Sequence, residues 1–211
     1  MDSQSPRNPD GSSKGEKVVS AEDVSEAPSA FAVRINIYHA AQDDPKKNTA
    51  LRLSRRGFAR IVTKIKFLPK RAIVLNPFSE IALSPADRER VEQFGVVGLD
   101  CSWEHAQKVM GEHVRGTSRC LPILIAGNPV NFGKLTKLTT AEAIAATLYI
   151  TGFQQEAKTM LDIFPWGHTF FELNQKLLDS YVTAKDSTDI VEMQKELLKV
   201  QKREPAKGIF E

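Results

Sequence analysis

Apolar and polar positions along this chain fall into two regimes. Up to about residue 126, short apolar runs alternate with amphipathic stretches; beyond Gly133 the apolar positions recur only at helical spacing. Residues 31–38 alternate apolar and polar side chains as a strand does. Thr49 stands where a helix N-cap would, and Leu51, Phe58, Ile61, Val62 and Ile65 follow at helical spacing, predicting one helix with the basic residues mostly on its far side. Residues 71–76 read as a buried strand ended by Pro77, and the short apolar piece 81–83 as a candidate further strand. Ser84-Pro85 opens a helix that ends near Phe94-Gly95. A strand at 96–99, a short helix from about 103 to 110 and a last strand at 122–126 complete this half. Strands and helices joined by short links predict a parallel sheet.

Thr139 and Glu142 are spaced as a capping box, leading into an Ala-rich helix that stops at Gly152. Further helices are predicted over 154–164, 169–184 and 188–202, with no internal repeat. Residues 1–30 are rich in Ser, Asp, Glu, Gly and Pro and are expected to be disordered, since they bury too little apolar surface to offset chain entropy. The expected organisation is an α/β domain over 31–126 and an all-α domain over 127–211.

The 211 residues suffice for a substantial core. No apolar run approaches the roughly 18 residues that span a bilayer, and the first residues lack the apolar segment of a secretion signal. Two cysteines, Cys101 and Cys120, offer neither a disulfide framework nor zinc spacing. A cytoplasmic protein is therefore expected. The net charge of +3 is mild, but residues 45–79 contain no acidic side chain. Lys46, Lys47, Arg52, Arg55, Arg56, Arg60 and Lys64 begin that run, which continues through Lys66, Lys70 and Arg71. A solvated helix face usually mixes signs, so a single-sign run of this density points to a polyanion such as RNA phosphate.

Catalytic signatures are sparse. The chain has no phosphate-binding P-loop, no Gly-x-Ser-x-Gly elbow and no zinc helix. Its four histidines, His39, His105, His113 and His168, show no metal spacing, so no metal is expected. What remains are two apolar runs that stop at small and polar residues, 95–103 and 121–133. Polar residues just past buried parallel strands fall at the carboxyl edge of the sheet, where open α/β folds bind ligands. Gly98, Gly127, Pro129 and Gly133 allow close backbone approach, and the apolar residues of 121–125 supply walls. Such a site suits a flat heterocycle, and with the basic run it suggests a nucleoside cofactor used on RNA. Asp100 and Trp103 read equally well as a helix cap and a core residue.

Several motifs occur in a fixed order: Asp-Pro-Lys-Lys-x-Thr at 44–49, Leu-x-Pro at 75–77, Asp-Cys-Ser-Trp at 100–103, and Asn-Pro-Val-Asn-Phe-Gly at 128–133. Leu-Thr-Thr-Ala-Glu-Ala at 138–143, Gly152-Phe153, Phe-x-Trp-Gly at 164–167, Asn174-x-x-Leu-Leu178 and Tyr181 follow. Over about 31–185 the chain resembles the small-subunit ribosomal-RNA aminocarboxypropyltransferase family in its archaeal or short form. It departs from the family pattern at Asn48 and Ala50, where Cys or Ser and Gly are usual, and at Phe132, where Tyr is usual. The resemblance implies a parallel five-stranded sheet with a SPOUT-like trefoil knot, followed by an all-α half. It implies that the 3-amino-3-carboxypropyl group of S-adenosylmethionine passes to N3 of an N1-methylated pseudouridine in small-subunit rRNA or a pre-ribosomal particle. A monomer acting away from any membrane is expected.

The resemblance also assigns roles. Trp103 and Ala106 would bury the methyl side of the cofactor, and Leu75 and Pro77 would wall the adenine. Main-chain groups of Val97, Leu121 and Thr136 would hold the nucleoside, with Thr140 nearby, and Thr49 would hold the amino-acid tail. Asp100, the carboxylate at the centre, can accept the N3 proton or balance the sulfonium charge. Two other activities fit the same residues: an RNA methyltransferase of the knotted class, and a non-catalytic ribosome-assembly binder.

Overall fold

The computed structural model describes residues 31–40, 48–101 and 114–203. Five parallel strands, β1 (Ile35–His39), β2 (Arg60–Val62), β3 (Ile73–Leu75), β4 (Val96–Asp100) and β5 (Thr117–Arg119), lie in the order β2-β1-β4-β3-β5. Two helices accompany them, α1 (Thr49–Arg55) and α2 (Arg88–Phe94). Four more follow: α3 (Thr140–Ile150), α4 (Gln154–Leu161), α5 (Gly167–Val182) and α6 (Ser187–Arg203). No helix among the described residues is long and apolar enough to cross a membrane.

β3 and most of β4 are buried on both faces, which is why their sequences read as continuous apolar runs, whereas β1 alternates, with Asn36 and His39 half-buried. Ile35, Ile37, Ile73, Leu75 and Val96 enter the larger core, together with Leu124, Ile144, Leu148, Phe170, Leu178 and Tyr181 from the helical half. Their neighbours Tyr38, Val74 and Val97 enter a smaller core with Val62, Leu68 and Ala72. Side chains alternate between faces along a strand, so one face of the sheet is covered by the helical half and the other by the turn at 65–72. Both halves of the chain thus share the larger core.

Three elements differ from the sequence expectation. The helix over 49–65 ends at Arg55, because Gly57 adopts a left-handed φ of +77°. Its N–H bonds to Ser54 O at 2.9 Å and that of Phe58 to Leu53 O at 3.0 Å, a Schellman termination that sends the chain into β2. The cap is Asn48, whose Oδ1 accepts from Leu51 N at 2.9 Å, so Thr49 is the first helical residue. The fifth strand is Thr117–Arg119, not 122–126. Residues 122–126 instead pair their backbone partly with the loop at 133–136, including an isolated antiparallel bridge from Ile125 to Leu135, and partly with helix side chains. Ile123 N donates to Gln194 Oε1 (2.8 Å) and Ile125 N to Asn174 Oδ1 (2.8 Å). Asn174 Nδ2 returns a bond to Ile125 O and Tyr181 OH one to Ile123 O. The piece at 81–83 is a single bridge, Ala82 to Cys120, extending the line of β5. The short helix expected over 103–110 lies outside the described residues.

Candidate functional site

A cavity of about 840 Å3 opens at the carboxyl ends of β3 and β4. The start of α1, the segment after β5 and the start of α3 complete its walls. Of the residues assigned to the cofactor, Thr49, Leu75, Pro77, Asp100, Leu121, Thr136 and Thr140 line it. Val97 does not: it sits fully buried between Asn36 and Val74, and its successors Gly98 and Leu99 face the cavity instead. Trp103 and Ala106, like Lys46 and Lys47, lie outside the described residues.

Sheet register places the central carboxylate. His39 ends β1 directly opposite Asp100 at the end of β4, so their side chains emerge together. His39 Nδ1 lies 2.6 Å from Asp100 Oδ2, and Asn48 Nδ2 donates to the same oxygen at 2.7 Å. Thr140 Oγ1 donates to Oδ1 at 3.1 Å. With the carboxylate ionised, Nδ1 is the hydrogen-bearing nitrogen of His39. Asp100 is thus a carboxylate held in place by three partners, two on Oδ2 and one on Oδ1. Asn48 does two jobs, capping α1 through its oxygen and orienting Asp100 through its nitrogen.

A second, fully buried carboxylate shapes the opposite wall. Glu142 accepts from Gly127 N (2.7 Å), Asn128 N (3.0 Å), Asn128 Nδ2 (2.8 Å), Thr139 N (2.7 Å) and Thr139 Oγ1 (2.9 Å). Asn128 Oδ1 in turn accepts from Asn131 N, closing the Asn-Pro-Val-Asn turn. This explains that motif: it ties the cavity loop to α3. Thr136 lies in the same loop with φ +59°, an outlier for a β-branched residue and a sign of backbone held in place at a site.

Two glycines expected to admit a ligand also admit helices, Gly98 while lining the cavity and Gly127 away from it. A Cβ on Gly98 would stand 3.2 Å from both Ile144 Cδ1 and Thr140 Cγ2, so Gly98 lets α3 settle on β4. A Cβ on Gly127 would meet Phe170 N at 2.6 Å, so Gly127 admits α5.

The Cys120 thiol at the cavity is not poised to react. Burial pushes the Cys120 thiol up from its ordinary range, which keeps it protonated and a poor nucleophile. Cys101 also lines the cavity. Arg119 reaches it too, but Nε contacts both Asp87 oxygens at 3.0 Å and Nη2 contacts Oδ1 at 2.9 Å, so its charge is answered. Sequence reasoning missed His39, Asn48 and Glu142; for Glu142 the capping-box spacing was the available signal. Among the described residues no cluster has a metal-ligand set. The cavity offers apolar walls, backbone groups and one oriented carboxylate, a set that suits a cation on an apolar body.

The basic run does not form one helix face. Arg52 is committed to Ile163 O at 2.7 Å and stacks on Phe164. Arg55 and Arg56 are exposed at the far end of α1, Arg60 begins β2, and Lys64 follows its last residue.

Residues 73–198 match the family model described as "Ribosome biogenesis protein, C-terminal". The 16S rRNA aminocarboxypropyltransferase of Methanosarcina acetivorans is 49% identical over 164 residues, spanning 77% of this chain and 92% of that protein. The enzyme of the same name from Methanothermobacter thermautotrophicus is 46% identical over 168 residues, 79% of this chain and 99% of its own. The solved structure of the SAM-dependent rRNA:acp-transferase Tsr3 from Vulcanisaeta distributa superposes with a TM-score of 0.71 at 40% identity, covering 82% of this chain and all of that one.

Proposed function

The chain belongs to the family of 16S rRNA aminocarboxypropyltransferases, and from that membership we infer that it is an S-adenosylmethionine-dependent enzyme of ribosome biogenesis that moves the 3-amino-3-carboxypropyl group onto small-subunit rRNA. The acceptor we assign is N3 of an N1-methylated pseudouridine. The observation that carries the reading is Asp100, fixed by three donors at the mouth of an apolar, backbone-lined cavity.

The residues present fit the co-substrate. Leu75, Pro77 and Leu121 give apolar walls for an adenine, and Asp100 gives the counter-charge that a sulfonium needs. The Thr49 and Thr140 hydroxyls line the same space and suit a zwitterionic amino-acid tail. When bound, S-adenosylmethionine supplies a carbon already activated by a positively charged leaving group: the N3–Cγ bond forms as the Cγ–S bond breaks, and methylthioadenosine departs. Little is then left for side chains except choosing which carbon faces the acceptor, and positioning can supply much of such a barrier. Asp100 acts as electrostatic partner. The N3 proton passes to solvent. The exposed Phe78, Val130 and Phe132, in or next to the loops that line the cavity, offer an apolar rim over which a base can approach.

A SPOUT-like trefoil knot, a monomeric state and a cytoplasmic site of action belong to the same proposal. The all-parallel order β2-β1-β4-β3-β5 supports the first, and two cysteines outside any disulfide suit a reducing compartment. The test of function is mass analysis of small-subunit rRNA from cells lacking this gene. The nucleotide should stop at methylated pseudouridine and be completed by the wild-type gene but poorly by Asp100→Asn. Full modification in the deletion strain would contradict the assignment.

A further inference from the structure

At the opposite end of the same strands lies a second pocket, of about 450 Å3. Arg34 precedes β1, Arg60 begins β2, and Lys70 and Arg71 precede β3, so the pocket sits at the amino edge of the sheet. These four cations line it with Asn36, Pro69 and the Phe94 ring, and no acidic side chain lines it. The ion pairs among the described residues, His39–Asp100 and Arg119–Asp87, involve none of them.

Two of the four exposed cations, Arg34 and Arg71, are anchored to the end of α2. The Arg71 guanidinium lies 4.0 Å from the centroid of the Phe94 ring, and Arg90 Nη1 donates to the Arg71 carbonyl at 3.3 Å. Arg34 Nη2 donates to the Gln93 carbonyl. Holding like charges together costs energy unless a multivalent anion neutralises them. Two arginines already oriented by the end of α2 suit forked contacts to phosphate oxygens.

We propose that this amino-edge pocket is a second RNA phosphate-binding subsite, which holds the rRNA backbone away from the reacting nucleotide. The inference rests on the reading of the chain as an rRNA-modifying enzyme. A five-residue strand is roughly 15 Å long, so the phosphate held here is several nucleotides removed from the base at the carboxyl-edge cavity. The subsite therefore reads the shape of the folded RNA and contributes to affinity and register, not to the transfer step.

The test is the double variant Arg60→Ala/Lys70→Ala. Both side chains are exposed, and neither touches the cofactor cavity. The probe is small-subunit rRNA purified from cells lacking this gene. Expected results are an RNA Kd raised about tenfold at moderate salt and a slope of log K against log[salt] shallower by about 1.5, at roughly 0.7–0.9 for each phosphate the variant no longer neutralises. The Kd for S-adenosylmethionine, the melting temperature and the single-turnover rate at saturating RNA should be those of wild type. An unchanged RNA Kd and salt slope in a variant whose wild-type parent releases methylthioadenosine would overturn the subsite alone. A wild type that binds this RNA salt-dependently but releases no methylthioadenosine would overturn the proposed activity and leave the subsite supported by the variant's weaker binding. A fall in single-turnover rate at saturating RNA would overturn the claim that the pocket acts only on binding.

Discussion

At the carboxyl edge of the sheet the charged groups that shape the cavity are answered, whereas at the amino edge four cations share a pocket lined by no carboxylate. Asp100 is held by His39, Asn48 and Thr140, Arg119 by Asp87, and Glu142 by five N–H and O–H donors. The strands are the same and run in parallel, so the difference comes from what their two ends carry. A site that must fix a small cation and exclude alternatives needs preorganised, satisfied polar groups. A surface that meets a long polyanion needs unanswered charge, whose effect is screened by salt and tolerant of small displacements.

That contrast breaks most severely at Glu142. Glu142→Gln replaces an all-acceptor group by one that brings two hydrogens into a ring of donors. It should cost about 2–4 kcal/mol of folding stability, read in denaturant unfolding, and loosen the cavity loop. Asp100→Asn comes next: loss of the negative charge should weaken S-adenosylmethionine binding by about 2 kcal/mol, or some thirtyfold. Turnover of the bound complex should slow only modestly, checked by calorimetry and single-turnover kinetics. A variant that binds normally but is inert would make Asp100 a general base. Gly98→Ala must push α3 off β4 by a few tenths of an ångström, costing about 1–2 kcal/mol and lowering the melting temperature. By contrast, Lys70→Ala at the amino edge should stay within about 0.5 kcal/mol of wild type.

An effect confined to alkaline pH is expected in the helical half. Burial pushes the Tyr181 phenol up to about 12. Because the folded state favours the neutral phenol, its contribution is complete below the ordinary tyrosine value of about 10 and is lost as pH rises through the folded value. Burial and the Asp179 hydrogen bond also push the Tyr149 phenol up, so an ultraviolet titration should find both tyrosines ionising late, Tyr181 among them, and stability declining in that window.

The parallel sheet was legible because Ile73–Leu75 and Val96–Asp100 carry buried apolar runs and Ile35–His39 alternates apolar with polar side chains. Thr117–Arg119 was not: an edge strand of Thr, Ser and Arg carries no apolar run, while the apolar 122–126 belongs to the helices that clamp it. The long helix expected at 49–65 joins apolar positions across Gly57, where the Schellman turn resets the period. Asp100 stands out by motif, but its partners are hidden in the sequence, since His39 and Asn48 meet it only through sheet register and a helix cap. The basic run is visible as charge density, but not its division between two edges, which depends on where the chain turns.

The most direct measurement of the central claim is the by-product released when the purified protein is incubated with S-adenosylmethionine and small-subunit rRNA from cells lacking this gene. The account predicts one methylthioadenosine for each nucleotide modified. S-adenosylhomocysteine in its place would mean that the methyl group moves, and would contradict it.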